Sequence, residues 1–296
     1  MGVGNVRSES LVSIGLRVSE RRIPLNELMK QETTLQASYT LLHPIEARDV
    51  TGYNHVRMRR NMMIFKSKFG KERLHMKYDV TIDKELFSVY PEIRLGLLRF
   101  HADVKAPDER FWDYMNAEVL PQVRSCVEGK EWSEIPGIKG SRSAYKAFGR
   151  NPGRYRVSSE ALIRRVRRGD ELYHINSVVD VNNLISVKSG LSVGSYDLGQ
   201  IHGAIKLRKA EHGEGYTGIG KDFLDMENML VLADDDGIFG SSMSDSTRAM
   251  VTDSASDILV VVYCFENDID LETLLCEAEK AFVQFAGVYD IDTWIA

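Results

Sequence analysis

The stretch "INSVVDVNNLISVKSGLSVGSYDL", residues 175–198, changes its period halfway. From Asn176 to Gly190 the apolar residues Val178, Val181 and Ile185 fall on one face of a helix, and Gly190 is suited to close it. "LSVGSYDL" then reads as a strand. Asn176, Asp180 and Asn183 lie at i, i+4 and i+7, so they share one stripe of the helix. Asn176 suits the N-cap, which leaves Asp180 and Asn183 as candidates for a polar pocket. Asp197 is expected to fix the turn after the strand. Its other reading is acceptance from a ligand.

Just upstream, "NPGRYRVSSEALIRRVRRG", residues 151–169, holds six arginines and one acid, Glu160. Ser158 or Ser159 is expected to cap a helix here, with Glu160 in its first turn and Gly169 at its end. Arg164, Arg165, Arg167 and Arg168 crowd the last turn, where the helix dipole favours positive charge. With Arg150, Arg154 and Arg156 upstream, the density exceeds what the dipole needs and matches what neutralising a phosphate backbone requires. Tyr155, between two arginines, is placed to stack on an unpaired base. The alternative is a solvated helix end.

The basic patch is local. Residues 1–75 carry 13 Lys/Arg and 7 Asp/Glu; residues 76–296 carry 25 and 36. Within the acidic part, residues 139–168 hold ten Lys/Arg and one acid, so a polyanion would be steered to one face and repelled elsewhere. In 296 residues no apolar run approaches a membrane span, and no signal peptide is expected. Cys126, Cys264 and Cys276 lack CxxC spacing and read as thiols of a reducing compartment, so a cytoplasmic location is expected.

Residues 1–75 are expected to form a basic, weakly ordered extension, with one amphipathic helix over 24–42, and residues 76–296 a domain. "KYDVTI" alternates like a half-buried strand, and Asp83 caps the helix "KELFSVY". "IRLGLLRFHADV" is a second strand. Asp108 begins a helix with Phe111, Met115, Val119, Val123 and Val127 on one face, which Pro121 is expected to kink or split. "EWSEIPGIKG" and "HGEGYTGIG" read as loops. "AIKLRK", "NMLVLADD" and "DILVVVYCF" read as strands, the last central, and Asp270 starts a final helix.

The blocks "SSEALIRR", "NSVVDVNNLISVKSG", "GSYDL", "VLADDDGIFG" and "MVTDSASDILVVVY" resemble, in order, the B3/B4 domain of the phenylalanyl-tRNA synthetase β subunit, and more closely the free-standing proteins made of that domain. The resemblance spans roughly residues 77–290. It implies an α+β domain with a mixed sheet curled into a partial barrel between helices. It also implies a pocket where a wrongly attached amino acid, typically tyrosine, is hydrolysed off the tRNA 3′ end. The basic helix would then face tRNA. Arg150, Arg154, Tyr155, Arg156, Arg164, Arg165, Arg167 and Arg168 are the RNA-binding candidates. Ser158, Ser159, Asn176, Asp180, Asn183, Gly194 and Asp197 are the pocket candidates.

Two departures bear on the chemistry. Gly194 stands where the synthetase carries a histidine, and Val261 where it carries a glutamate. Neither a glycine nor a valine activates water. "ADDDG", residues 233–237, binds a cation or forms a tight turn, and the turn is favoured. His174 and His202 are titratable near neutral pH, without a partner evident in the sequence. No P-loop, GxSxG or HExxH occurs, and no cofactor or metal is expected. Three functions stay open. One is a module that holds tRNA or its aminoacylated 3′ end, one an aminoacyl-tRNA deacylase, and one a small-molecule or protein-interaction domain. Neither DNA nor a membrane is expected as partner.

Overall fold

The computed structural model describes residues 78–106 and 108–296, together with two short strands, β1 (Arg17–Val18) and β2 (Arg21–Arg22), which pair antiparallel. Contacts divide the chain into Met1–Arg73 and Leu74–Ala296, and the second unit carries everything below. The helix expected over 24–42 and the basic run over 48–75 lie outside the described residues.

The domain begins with β3 (Val80–Ile82), α1 (Lys84–Val89) and β4 (Arg94–His101). Asp83 caps α1 by accepting from the Glu85 N–H. A long helix follows in three pieces: α2 (Glu109–Tyr114), a π-helical turn over Met115–Val119, and α3 (Leu120–Val127). The interruption falls where Pro121 was expected to act. Proline has no N–H to give the ladder, and the Leu120 N–H reaches back to the Met115 carbonyl instead. Next come α4 (Ile138–Ala147), α5 (Ser158–Arg168) and α6 (Ser177–Ser189). Gly190 ends α6 at φ 75°, as its position suggested.

The chain then lays down β5 (Ser192–Asp197), β6 (Ile205–Lys209), the hairpin β7 (Gly215–Thr217) and β8 (Phe223–Asp225), β9 (Leu230–Asp234), β10 (Gly237–Ser241) and β11 (Asp257–Cys264). It closes with α7 (Leu271–Ala286) and β12 (Tyr289–Ile295). Three expectations change. The "IKG" of the supposed loop belongs to α4, part of "HGEGYTGIG" is strand β7, and β12 was not foreseen.

The domain is α+β, with two four-stranded sheets and no closed barrel among the described residues. One sheet has the order β12-β4-β11-β5, all antiparallel; the other has the order β10-β9-β6-β3, with β3 parallel to β6. In β11, Ile258, Val260, Val262 and Cys264 pack among the helices, while Leu259, Val261 and Tyr263 pack with Leu207, Leu232 and Phe239 of the second sheet. Strand period two therefore puts one apolar core on each face, and β11 is buried on both, as a continuous apolar run requires. The layers run helices, first sheet, second sheet. Among the described residues no helix is long and apolar enough to cross a membrane. The three cysteines are free thiols, and Cys264 is buried.

Candidate functional site

The basic segment is built from α5 and the loop before it. The N-terminus of α5 is capped from outside. Val157 is its N-cap residue and makes no side-chain bond. The Ser158 N–H donates to the Ser242 carbonyl (2.8 Å), and the Ser159 N–H to Ser192 Oγ (3.3 Å). Neither Ser158 nor Ser159 caps by its own hydroxyl as expected, because groups from β5 and the segment after β10 reach the orphan donors first.

Glu160 is fully buried and pairs with two guanidiniums, Arg142 at 2.8 Å and Arg164 at 2.8 Å. It therefore does more than complement the dipole: it is the buried anion of a three-residue cluster. The Arg164 guanidinium lies 4.0 Å from the Trp132 ring centre and that of Arg167 lies 4.1 Å from it. Arg167 also donates to the carbonyls of Val127 (2.6 Å) and Lys130 (2.9 Å). Arg165 donates to the Glu171 carbonyl and stacks on Tyr173 at 4.3 Å. These three arginines hold the end of α5 to the surrounding loops. Arg154, Arg156, Arg168 and Lys146 stay exposed. Tyr155 is half-buried, with Arg150 at 4.8 Å and Arg154 at 5.5 Å from its ring.

The polar residues of α6 separate. Asn176 caps the helix by accepting from the N–H groups of Val178 (3.1 Å) and Val179 (2.9 Å). Asp180, 1% exposed, accepts from the Ile175 N–H at 3.0 Å, and its Oδ2 is buried without a partner. Burial pushes its carboxyl up to about 6, against the Ile175 N–H, His174 and the indole of Trp112, which favour the ionised form. The Trp112 indole N–H is itself buried and short of a hydrogen bond, and the His174 ring stacks on Trp112 at 3.7 Å. Asn183 is half-buried. Its neighbour Asn182, which sequence reading passed over, is buried and donates to Ser195 Oγ on β5 at 2.7 Å. Asp197 takes the turn role, accepting from the Gly199 N–H at 3.0 Å.

Gly194 and Val261 are cross-strand partners in the β5–β11 ladder. The sheet therefore brings the two departures together at one point, between the two sheets, and that point is filled. A Cβ on Gly194 would sit 2.3 Å from Tyr196 Oη, and one on Gly240 would sit 2.4 Å from the same atom. The phenol of Tyr196 threads between the two glycines. Its hydroxyl donates to Asp245 Oδ1 (2.7 Å) and shares a hydrogen bond with the Tyr263 hydroxyl (2.8 Å). The Asp245 carboxylate is turned inward, accepts also from the Ser241 N–H at 3.1 Å, and is pushed up to about 6 by burial. Tyr216 and Tyr145 extend the network to Ser241, Ser244 and Ser242. The Tyr196 phenol thus takes up the space that a side chain at position 194 or 240 would otherwise fill.

The turn residues 233–237 join β9 to β10. Asp234 is buried against Arg248 at 2.7 Å, and Asp236 takes the His202 ring nitrogen at 2.6 Å. The Asp234 and Asp236 carboxylates thus have partners within the fold, and His202 has one that the sequence did not reveal.

A B3/4 domain family model matches residues 140–273. The phenylalanine–tRNA ligase beta subunit of Symbiobacterium thermophilum is 32% identical over 123 residues, which cover 37% of this chain and 13% of that protein. That of Pseudoalteromonas translucida is 33% identical over 106 residues, 33% of this chain and 13% of that protein. Among solved structures, an N-terminal fragment of the Pyrococcus horikoshii phenylalanyl-tRNA synthetase beta subunit aligns with 73% of this chain and 50% of its own, at TM-score 0.37 and 13% identity. The chain thus spans about an eighth of the length of these curated relatives. Residues 140–273 are thus similar to the B3/4 domain family, and the chain resembles the corresponding region of the phenylalanine–tRNA ligase beta subunits.

Proposed function

We propose that this chain is a tRNA-holding module that engages tRNA, or its aminoacylated 3′ end, without hydrolysing the ester. The observation that carries the reading is the phenol of Tyr196, which occupies the space between Gly194 and Gly240 where the resemblance puts the hydrolytic pocket. Support for tRNA as partner comes from the B3/4 match and from the charge left exposed by the fold. Arg164, Arg165 and Arg167 serve internal contacts, so Lys146, Arg154 and Arg156, with Arg168 in its exposed pair with Asp170, are the cations that a phosphate backbone would meet. Arg150 and Tyr155 add a stacking face beside them.

The test joins two readouts. Tyrosyl-tRNA(Phe) and other mischarged tRNAs are mixed with the pure protein, and release of the amino acid is followed beside a binding titration over a range of salt. Binding with release at the uncatalysed rate is expected. The triple variant Arg154→Glu, Arg156→Glu and Arg168→Glu is expected to weaken binding and to lower the salt slope by roughly one per lost phosphate contact. Release above background would make the chain a deacylase. Binding by neither protein would leave the interaction-domain reading in its place.

A further inference from the structure

A second concavity lies at the start of α4, away from the basic loop, and its centre is Glu266. This residue follows β11 and is only 5% exposed. Its Oε1 accepts from the N–H groups of Gly137 (2.8 Å) and Gly140 (2.6 Å), so one oxygen caps the N-terminus of α4. The helix end is therefore already supplied with an anion and is closed to another. A Cβ on Gly140 would stand 2.3 Å from Glu266 Cγ, so the glycine lets the carboxylate settle against the helix. Its other oxygen, Oε2, has no partner among the described residues and is the one left for solvent or a ligand.

Glu266 lines a cavity of about 400 Å3 with Tyr90, Glu92, Lys139, Gly140, Ser143, Asn267 and Asp268. Three carboxylates face one ammonium there, so the cavity is negative. Tyr90 registers that field. Its hydroxyl donates to the Phe265 carbonyl at 3.1 Å, and burial, then Glu92 and Glu266, push the phenol above its ordinary range. A buried carboxylate with a free oxygen favours a cationic donor. Among the described residues no group of three or more His, Cys, Asp or Glu side chains is arranged to hold a metal ion. The donors needed are N–H groups on a charged nitrogen, and the volume suits a small organic molecule.

We propose that this cavity binds a small organic amine, its ammonium group donating to Glu266 Oε2 and lying in the field of Glu92 and Asp268. Ser143 and Asn267 supply hydrogen bonds to a hydroxyl or a second amine on the same molecule. The site does not depend on the tRNA reading, since it shares none of the exposed cations assigned there.

The test is titration of the full chain with ethanolamine and with putrescine, followed by calorimetry or by ligand-observed NMR. Ethylene glycol and acetate are the controls. Saturable binding of the amines and none of the controls is expected. Glu266→Gln keeps a carbonyl oxygen for the Gly137 and Gly140 N–H groups, so α4 stays capped, yet amine affinity should fall by ~10-fold or more, the loss of one charge-assisted hydrogen bond. Glu92→Gln and Asp268→Asn, both away from the cap, should each weaken binding by a smaller factor and leave thermal stability unchanged. Absence of saturable amine binding overturns the proposal. So does equal binding of ethylene glycol, or an affinity that none of the three variants changes.

Discussion

Tyr196 reaches between two strands through a gap that only glycine leaves. Gly194→Ala would put a methyl group 2.3 Å from its hydroxyl, and no rotamer of the alanine removes that overlap. The variant should lose on the order of 1–3 kcal/mol, as an overpacked core does. Gly194→Ala should cost less in a Tyr196→Ala background than in the wild type, and a double-mutant cycle by urea unfolding would read the coupling. Additive losses would show that the two side chains do not compete for one space. Tyr196→Phe tests the polar half: it leaves Asp245 and Tyr263 short of a partner, at a cost of ~1–3 kcal/mol. The sequence displayed Gly194 and Val261 as missing chemistry. It did not display the occupant, because Tyr196 reaches Asp245 across 49 residues and Tyr263 across 67. Asn182 was missed for a similar reason. Its i-spacing matched no stripe, and only the position of β5 gives it a partner.

At the scale of elements, local signals and distant ones part company. The helices α1, α6 and α7 were legible because each carries its own cap, Asp83, Asn176 and Asp270, and its own apolar stripe. α4 was not, since the group that caps it is Glu266, 126 residues on from Gly140. β12 was not, because Asp290 and Asp292 separate Tyr289, Ile291 and Thr293 but the adjacent Trp294 and Ile295 break the alternation, on an edge strand of exposed and half-exposed residues. α5 was placed with nearly its true bounds, while the work of its arginines was not visible. Two kinds of pair on α5 should now respond differently. Glu160→Ala removes the buried anion between Arg142 and Arg164, and a loss of ~2–4 kcal/mol is expected in thermal or denaturant unfolding. Arg168→Ala breaks a solvated pair with Asp170 and should cost under ~1 kcal/mol. Equal effects would mean that burial does not set the strength of these pairs.

For the molecule as a whole, two carboxyl groups give stability an unusual pH dependence. Asp180 and Asp245 are both raised from 3.8 to about 6 in the fold. Between those values the native state holds protons that the unfolded chain has released, so stability falls as pH rises through this window, by up to ~3 kcal/mol per group. Glu214 opposes at the acid end: Arg208 holds it below its ordinary value, and the stability it adds is lost as pH falls through its lowered value. The melting temperature should therefore be higher near pH 5 than at pH 7.5, and Asp180→Asn should flatten the difference. A melting temperature that climbs steadily from pH 5 to pH 7.5 would contradict both assignments.

The ladder of β4 with β11 bears on how the protein is made. His101 pairs with Asp257 and Arg94 with Cys264, so the middle of the first sheet joins segments more than 150 residues apart. During synthesis at ~5–20 residues per second, β4 leaves the ribosome ~10 seconds or more before its partner exists. Through that interval the eight residues of β4 have no strand on either side, because β12 follows later still. The apolar face of β4 thus stays without a sheet partner until β11 has been made, and the first sheet cannot close before then.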